Sequence, residues 1–216
     1  MINMSLIAKS SEEKIPPIGE GTYQAICTGI IDLGLQRSEK FEKTYPKIMI
    51  MWSFPTETIT VKEEELPRVI SKEYTNSLGE KSNLTRDLQA WRGKNFTQEE
   101  LSGFNLINVL NIPCLMQIIH DERNGNIYPK ISSIMALPKD MQKSEKELQN
   151  IVFDFDTKET WNNYHNIPIW IQNKIKTATN YETSGLKEFV EKYENMVKEN
   201  NDSNDGVIAP DDDLPF

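Results

Sequence analysis

The feature that most constrains the fold is an order of segments. Three strand-like runs, one helix with both ends marked, and two more strand-like runs follow each other between residues 22 and 141. The first run, residues 22–34, is apolar and β-rich. Gly29 within it marks a bulge or sharp bend, which a strand curling around a small barrel needs. In the second run, residues 47–54, Ile48, Ile50, Trp52 and Phe54 fall on alternate positions, and this period of two predicts a core-facing side. Lys47, Met49, Met51 and Ser53 take the other side. The third run, residues 67–75, places Arg68, Ile70, Lys72 and Tyr74 on one face. The polar stretch 35–46 reads as a loop or hairpin tip, and the Glu- and Thr-rich stretch 55–66 as a turn.

The helix is the clearest element. Ser82 or Asn83 can cap its start, and Leu84, Leu88 and Trp91 form an i, i+4, i+7 apolar stripe. Gly93 suits the C-terminal cap. Residues 97–100, Thr-Gln-Glu-Glu, are a capping box for one more short turn. Strands are then expected at 113–120 and 127–135, joined by a hairpin with Asn124-Gly125 as its tight turn. Three strands, a helix and two strands is the order of an OB-fold, a five-stranded barrel with a helix between strands three and four. An SH3-like barrel or an α+β sandwich gives a similar count. The expected fold class is therefore mainly β with α additions: a five-stranded OB-fold barrel, a C-terminal helical extension and a disordered acidic tail.

Residues 1–21 read as a flexible arm, since the Pro- and Gly-rich stretch 15–21 suits neither helix nor strand. Residues 22–141 are the barrel. Residues 142–198 form a mostly helical extension, packed on the barrel or at an oligomer contact. It comprises a short capped helix at 144–150, a strand at 151–156, a helix opened by Pro168, and an amphipathic helix at 184–197 with Leu186, Phe189, Val190, Tyr193 and Val197 on its apolar side. Residues 199–216 are rich in Asn, Asp, Ser and Gly up to position 210 and read as a disordered tail.

Enzyme readings are thin. There is no P-loop, dinucleotide fingerprint or His-metal motif. His120 and His165 are the only histidines, so no zinc constellation is available, and no cofactor is called for. Asp154 and Asp156 alternate along a strand without the third carboxylate or nearby Lys that a nuclease metal pair requires; a solvated face accounts for them. Cys27 and Cys114 sit in apolar runs and read as buried thiols of a reducing compartment. No apolar run approaches the roughly 20 residues of a membrane span, and the N-terminus is a poor signal peptide. The expected location is cytoplasmic, with no membrane partner.

The net charge of −9 argues against nucleic acid at first, but it is unevenly placed. Beyond Lys198 there is no Lys or Arg, while Glu199, Asp202, Asp205 and Asp211 to Asp213 are acidic, so the rest of the chain stands at −3. The most basic window runs from 68 to 94, where Arg68, Lys72, Lys81, Arg86, Arg92 and Lys94 are interleaved with Tyr74 and Trp91. A single-strand groove needs cations along the backbone and aromatics for stacking, the latter worth ~1–3 kcal/mol per base. In an OB barrel the face of strands two and three, with the first and last hairpins, forms that groove. The candidate DNA-binding residues are therefore Lys47, Arg68, Lys72, Tyr74, Lys81, Arg86, Arg92, Lys94, Arg123, Tyr128 and Lys130, with Phe41 and Tyr45 in the first hairpin. Taken alone, such a window on an acidic chain is more often a solvated face. Trp52, Phe54 and Trp91 lie on apolar stripes and read as core.

The last six residues, Asp211, Asp212, Asp213, Leu214, Pro215 and Phe216, place three carboxylates before a small apolar hook. Such a segment suits a pocket with a basic rim on another protein. It resembles the ending of bacterial single-stranded DNA-binding proteins, Asp-Asp-Asp-Ile-Pro-Phe, with only Leu214 departing. That resemblance implies recruitment of replication, recombination and repair proteins through the tip.

A second resemblance covers residues 19–141. Gly19-Glu20-Gly21-Thr22-Tyr23, Ile31-Asp32-Leu33-Gly34, Tyr74-Thr75-Asn76-Ser77-Leu78, Lys81-Ser82, Leu84, Leu88, Trp91-Arg92-Gly93 and Phe96-Thr97 are similar to a group of bacteriophage replication-module proteins described as single-stranded DNA-binding. A weaker likeness continues around Pro168-Ile169-Trp170-Ile171-Gln172. The resemblance implies a non-enzymatic, sequence-tolerant single-stranded DNA-binding protein in the bacterial host cytoplasm, with phage or host partners and a possible homo-oligomer. The body is not similar to bacterial SSB barrels, so their tetramer does not carry over. Two other readings stand beside it. One is an adaptor or decoy that uses the tail to occupy host pockets without binding DNA; the other is an annealing protein.

Overall fold

The computed structural model describes residues 16–61, 63–145 and 148–202. Its centre is one six-stranded sheet, mainly antiparallel. β1 (Gly21–Ser38), β2 (Lys43–Val61) and β3 (Glu64–Thr75) form a meander, and β4 (Pro113–Arg123) and β5 (Asn126–Ala136) a hairpin. Spatially the strands run β3-β2-β1-β4-β5, and the short β6 (Ile151–Phe153) pairs in parallel with residues 29–31 of β1. β3 and β5 are not paired to each other, so the sheet is open and does not close into the expected barrel. α1 (Asn83–Arg92) packs against both of those strands and spans the gap.

The first two hairpins are longer than the sequence suggests. Residues 35–46 are largely strand, paired from Leu35 opposite Pro46 to Ser38 opposite Lys43. The stretch 55–66 also pairs, from Thr58 opposite Pro67 to Val61 opposite Glu64, after an irregularity that absorbs Pro55. Ladder hydrogen bonds outweigh polar composition here, because β-propensity depends on neighbours more than on the residue itself.

An irregularity in β1 explains how one sheet serves two cores. Cys27 lies opposite Trp52 and Gly29 opposite Met51, so Thr28 is an extra residue. An extra residue reverses the inside–outside alternation beyond it. Ala25, Cys27 and then Ile30 accordingly face the first core, with Ile48, Ile50, Trp52, Phe54, Leu84, Leu88 and Trp91. Ile31, Leu33, Met49 and Met51 face a second core built with the C-terminal segment. Met49 and Met51, expected on an outer face, are thus as buried as their neighbours.

The helical punctuation follows the sequence. The Ser82 hydroxyl accepts from the Leu84 N–H at 3.2 Å, and Gly93 closes α1 in the left-handed region. Thr97 and Glu100 form the reciprocal capping box of α2 (Gln98–Ser102). The β4–β5 hairpin turns at Asn124 and Gly125, both with positive φ.

The second core holds the C-terminal segment on the sheet. A 3₁₀ segment, Lys158–Asn166, contributes Trp161 and Tyr164; α3 (Ile169–Lys176) contributes Ile171 and Ile175; α4 (Gly185–Asp202) contributes Leu186 and Val190. Each large buried side chain of this kind contributes about 1.5–3 kcal/mol. Backbone and side-chain bonds add to the attachment: the Thr179 N–H donates to the Leu35 carbonyl at 2.8 Å, and Gln36 Nε2 to the Lys174 carbonyl at 2.9 Å. Gly34 sits at this junction with φ +70°, and a Cβ there would lie 2.7 Å from Phe155 Cε2. Only glycine meets both demands.

Two expectations for this region change. The described part of 144–150 contains no helix; the Ser144 N–H is held instead by Gln24 Oε1 at 2.5 Å. α4 runs on to Asp202, past the expected start of the tail at 199. The N-terminal arm up to residue 15 and the tip residues Asp211 to Phe216 lie outside the described residues. No helix among the described residues is long and apolar enough to cross a membrane.

Candidate nucleic-acid interface

The face of β3 carrying Arg68, Ile70, Lys72 and Tyr74 is turned toward the first core and α1. Ile70 and Tyr74 are buried, with Tyr74 3% exposed. The Tyr74 hydroxyl donates to Asp87 Oδ2 at 2.9 Å, and Lys72 Nζ meets the same oxygen at 2.7 Å. Lys72 also lies 5.2 Å from the Tyr74 ring centroid. Burial, reinforced by the Asp87 carboxylate, pushes the Tyr74 phenol well above its ordinary range. Arg68 Nη1 donates to the Pro16 carbonyl at 2.7 Å. This ring and these cations are engaged in holding β3, α1 and the N-terminal segment together.

The cations of α1 divide by helical phase. Arg86 lies outside the apolar stripe, with its side chain 69% exposed beside Asp87. Lys81 and Lys94 flank the helix and are exposed. Arg92 is different: its guanidinium is 4.3 Å from the Phe96 centroid and 4.9 Å from Phe104, and it pairs with Glu100. It locks α1 to the segment carrying α2. The Thr97 N–H, with the arginine, holds the Glu100 carboxyl below the usual range.

The remaining candidates fall in two other places. Lys47 pairs with Glu73 at 3.4 Å and, with Lys81, Ser77 and Asn83, lines a pocket of about 420 Å³ beside the start of α1. Arg123, Tyr128 and Lys130 stand on the β4–β5 hairpin. There Arg123 pairs with Asp121 at 2.5 Å, Tyr128 is half exposed and Lys130 is exposed. Phe41, at the β1–β2 turn, is exposed beneath Lys40, and Tyr45 is half-buried. The two hairpins lie beyond opposite ends of β1, because β4 pairs with its first residues and β2 with its last.

A concavity larger than the pocket beside α1 lies on the opposite face of the sheet. A cleft of about 990 Å³ opens between Met51 and Val69 of β2 and β3 and the C-terminal layer. This is within the size of ordinary ligand sites. Its walls include Trp170 at the start of α3, Tyr193 of α4, and six Asn or Gln side chains. Asn163 Nδ2 donates to the Val152 carbonyl at 2.9 Å and Gln172 Nε2 to the Ile167 carbonyl at 2.6 Å, so both amides are held in fixed orientation. His165 stacks on Tyr193 with centroids 5.9 Å apart. Glu194, the one carboxylate among the described lining residues, is paired with Lys176. Sequence reasoning missed this cleft because Trp170 sits between Ile169 and Ile171 in an apolar run that carries no sign of a surface. The available signal was the density of amides through 162–173 beside a tryptophan off the Ile171–Ile175 stripe.

No protein-family model matches the chain, and no curated protein matches its sequence.

Proposed function

We propose that the protein binds single-stranded DNA without sequence preference and recruits phage or host replication, recombination and repair proteins through Asp211 to Phe216. The observation that carries this reading is the strand order β3-β2-β1-β4-β5 with α1 packed across the two free edges. OB-folds are partly open five-stranded Greek-key barrels with a helix between strands three and four. We read this sheet as such a fold, its β3–β5 seam bridged by α1. The exposed Lys81, Arg86, Lys94, Arg123, Tyr128 and Lys130 supply cations and a ring at its surface.

One observation favours the adaptor reading instead. Lys47, Lys72, Arg92 and Arg123 are each paired with a carboxylate of the same chain, which lowers the positive field available to a phosphate. Titration with labelled oligo-dT at two salt concentrations, against duplex of equal length, separates the two. The DNA-binding reading expects tight single-strand binding that weakens with salt and much weaker duplex binding. No single-strand binding at low salt leaves the tail as the functional element. Deletion of residues 211–216 is expected to leave DNA affinity undiminished and to abolish capture of replication proteins; undiminished capture would refute the recruitment role.

A further inference from the structure

We infer that the cleft between the outer face of β2–β3 and the C-terminal layer is where unstacked bases of the bound strand insert, with Trp170 as the stacking platform. The inference rests on the single-strand reading above and places the bases on the face opposite to Arg68, Lys72 and Tyr74. Three observations point to a base rather than to a peptide or a phosphate. The first is exposure. Trp52, Trp91 and Trp161 are at most 6% exposed, whereas Trp170 is 41% exposed at the cleft wall. Every base has a π-face, so an open indole receives it with little regard to sequence.

The second is polarity. Amide side chains are planar, uncharged and carry both donors and acceptors, which suits the edges of splayed-out bases. Among the described residues the lining holds no Lys or Arg, so the cleft suits a neutral ring better than a phosphate. The third is the order of groups along α3. Trp170 and Lys174 are four residues apart and so share a face of the helix. Lys174 and Lys47 meet at Glu73 on β3, next to the second pocket with Lys81. A base on Trp170 thus has cations for its flanking phosphates further along the same helix. Met51 and Val69 provide an apolar floor.

The test uses the full-length protein and oligo-dT. Single-strand binding is expected to quench the intrinsic tryptophan emission, and Trp170→Phe should remove most of that quench while the protein still binds by anisotropy. Trp170→Ala should weaken binding by about 5- to 150-fold, as loss of one stacking platform does. Crosslinking of wild-type protein to a 5-iodouracil oligonucleotide needs no variant to fold, and should label the peptides containing Trp170 or Tyr193. A quench that survives Trp170→Phe, wild-type affinity in Trp170→Ala, or crosslinks confined to the 123–130 hairpin would overturn the cleft and leave single-strand binding intact. Absence of oligo-dT binding by the wild type would overturn both.

Discussion

Tyr74 of β3 donates its hydroxyl to Asp87 of α1 at 2.9 Å, and through that bond the strand and the helix hold each other. Lys72 reaches the same carboxylate oxygen at 2.7 Å and Arg86 the other at 3.3 Å. One carboxylate therefore gathers three residues that, read as a sequence, looked like a strip of DNA contacts. Asp87→Ala leaves a buried phenol without its acceptor, at a cost of about 1–3 kcal/mol. Chemical denaturation should show that loss of stability; an unchanged midpoint would mean that the contact contributes nothing to the fold.

Arg92 offers a sharper separation of structural from binding roles. Its guanidinium lies against Phe96 and Phe104 and pairs with Glu100. A lysine keeps the charge but has neither the planar stacking surface nor the fork. Arg92→Lys is expected to lower the melting temperature while the folded protein binds oligo-dT within about twofold of wild type, because the guanidinium is spent on Phe96, Phe104 and Glu100 and a bidentate phosphate contact, which lysine cannot reproduce, is not among its roles. A variant with an unchanged melt and weakened binding would make Arg92 a DNA contact after all.

The local signals in this chain were legible because they are local. Ser82, Gly93, Thr97 with Glu100, and Asn124 with Gly125 each satisfy backbone groups within a few residues, and all sit where the sequence placed them. The order of the five main strands was legible for the same reason. The second core was not. Whether Met49 and Met51 meet solvent depends on residues about a hundred positions later, Phe153, Tyr164 and Ile171 among them. The candidate site failed to declare itself for a related reason: Lys72, two residues from Tyr74, looks the same whether it meets a phosphate or Asp87. Trp170 shows the reverse, an indole in an apolar run that is open to solvent.

Burial of the two thiols sets the behaviour of the protein in alkali. Cys27 is pushed up to about 12 from 9.0 by burial, and Cys114 is raised further for the same reason with Cys27 nearby. Both groups therefore stay protonated in the folded chain at pH values where the unfolded chain releases the proton. Their contribution to stability is complete below about pH 9 and is lost as pH rises, by about 1.4 kcal/mol per pH unit for each thiol. Tyr74, Tyr164 and Tyr181, also raised by burial, add to the loss above the ordinary tyrosine range. Denaturation midpoints should be flat from pH 7 to 9 and then fall. The Cys27→Ala, Cys114→Ala variant should hold its own plateau up to about pH 10, where tyrosine begins to ionise. An onset unchanged by the double substitution would show that the thiols are not the groups involved.

Glu73 stands where the two halves of the proposed DNA path meet. It pairs with Lys47 of β2 at 3.4 Å and with Lys174 of α3, so one carboxylate faces two ammonium groups. A phosphate arriving at this point has to compete with that carboxylate, and the groups are open enough to water for the competition to depend on salt. Glu73→Gln removes the competitor and leaves both lysines in place. Oligo-dT affinity should then rise by about two- to tenfold at low salt, and the slope of log K against log salt should steepen by roughly one, since each added phosphate contact releases counterions. Lys174→Gln should act in the opposite direction on both quantities, while a substitution at Lys158, which lies over Trp161 on another part of the layer, should change neither. If Glu73→Gln leaves affinity and slope where they were, Lys47 and Lys174 do not meet the phosphates, and the strand does not pass from the cleft along α3 toward the second pocket.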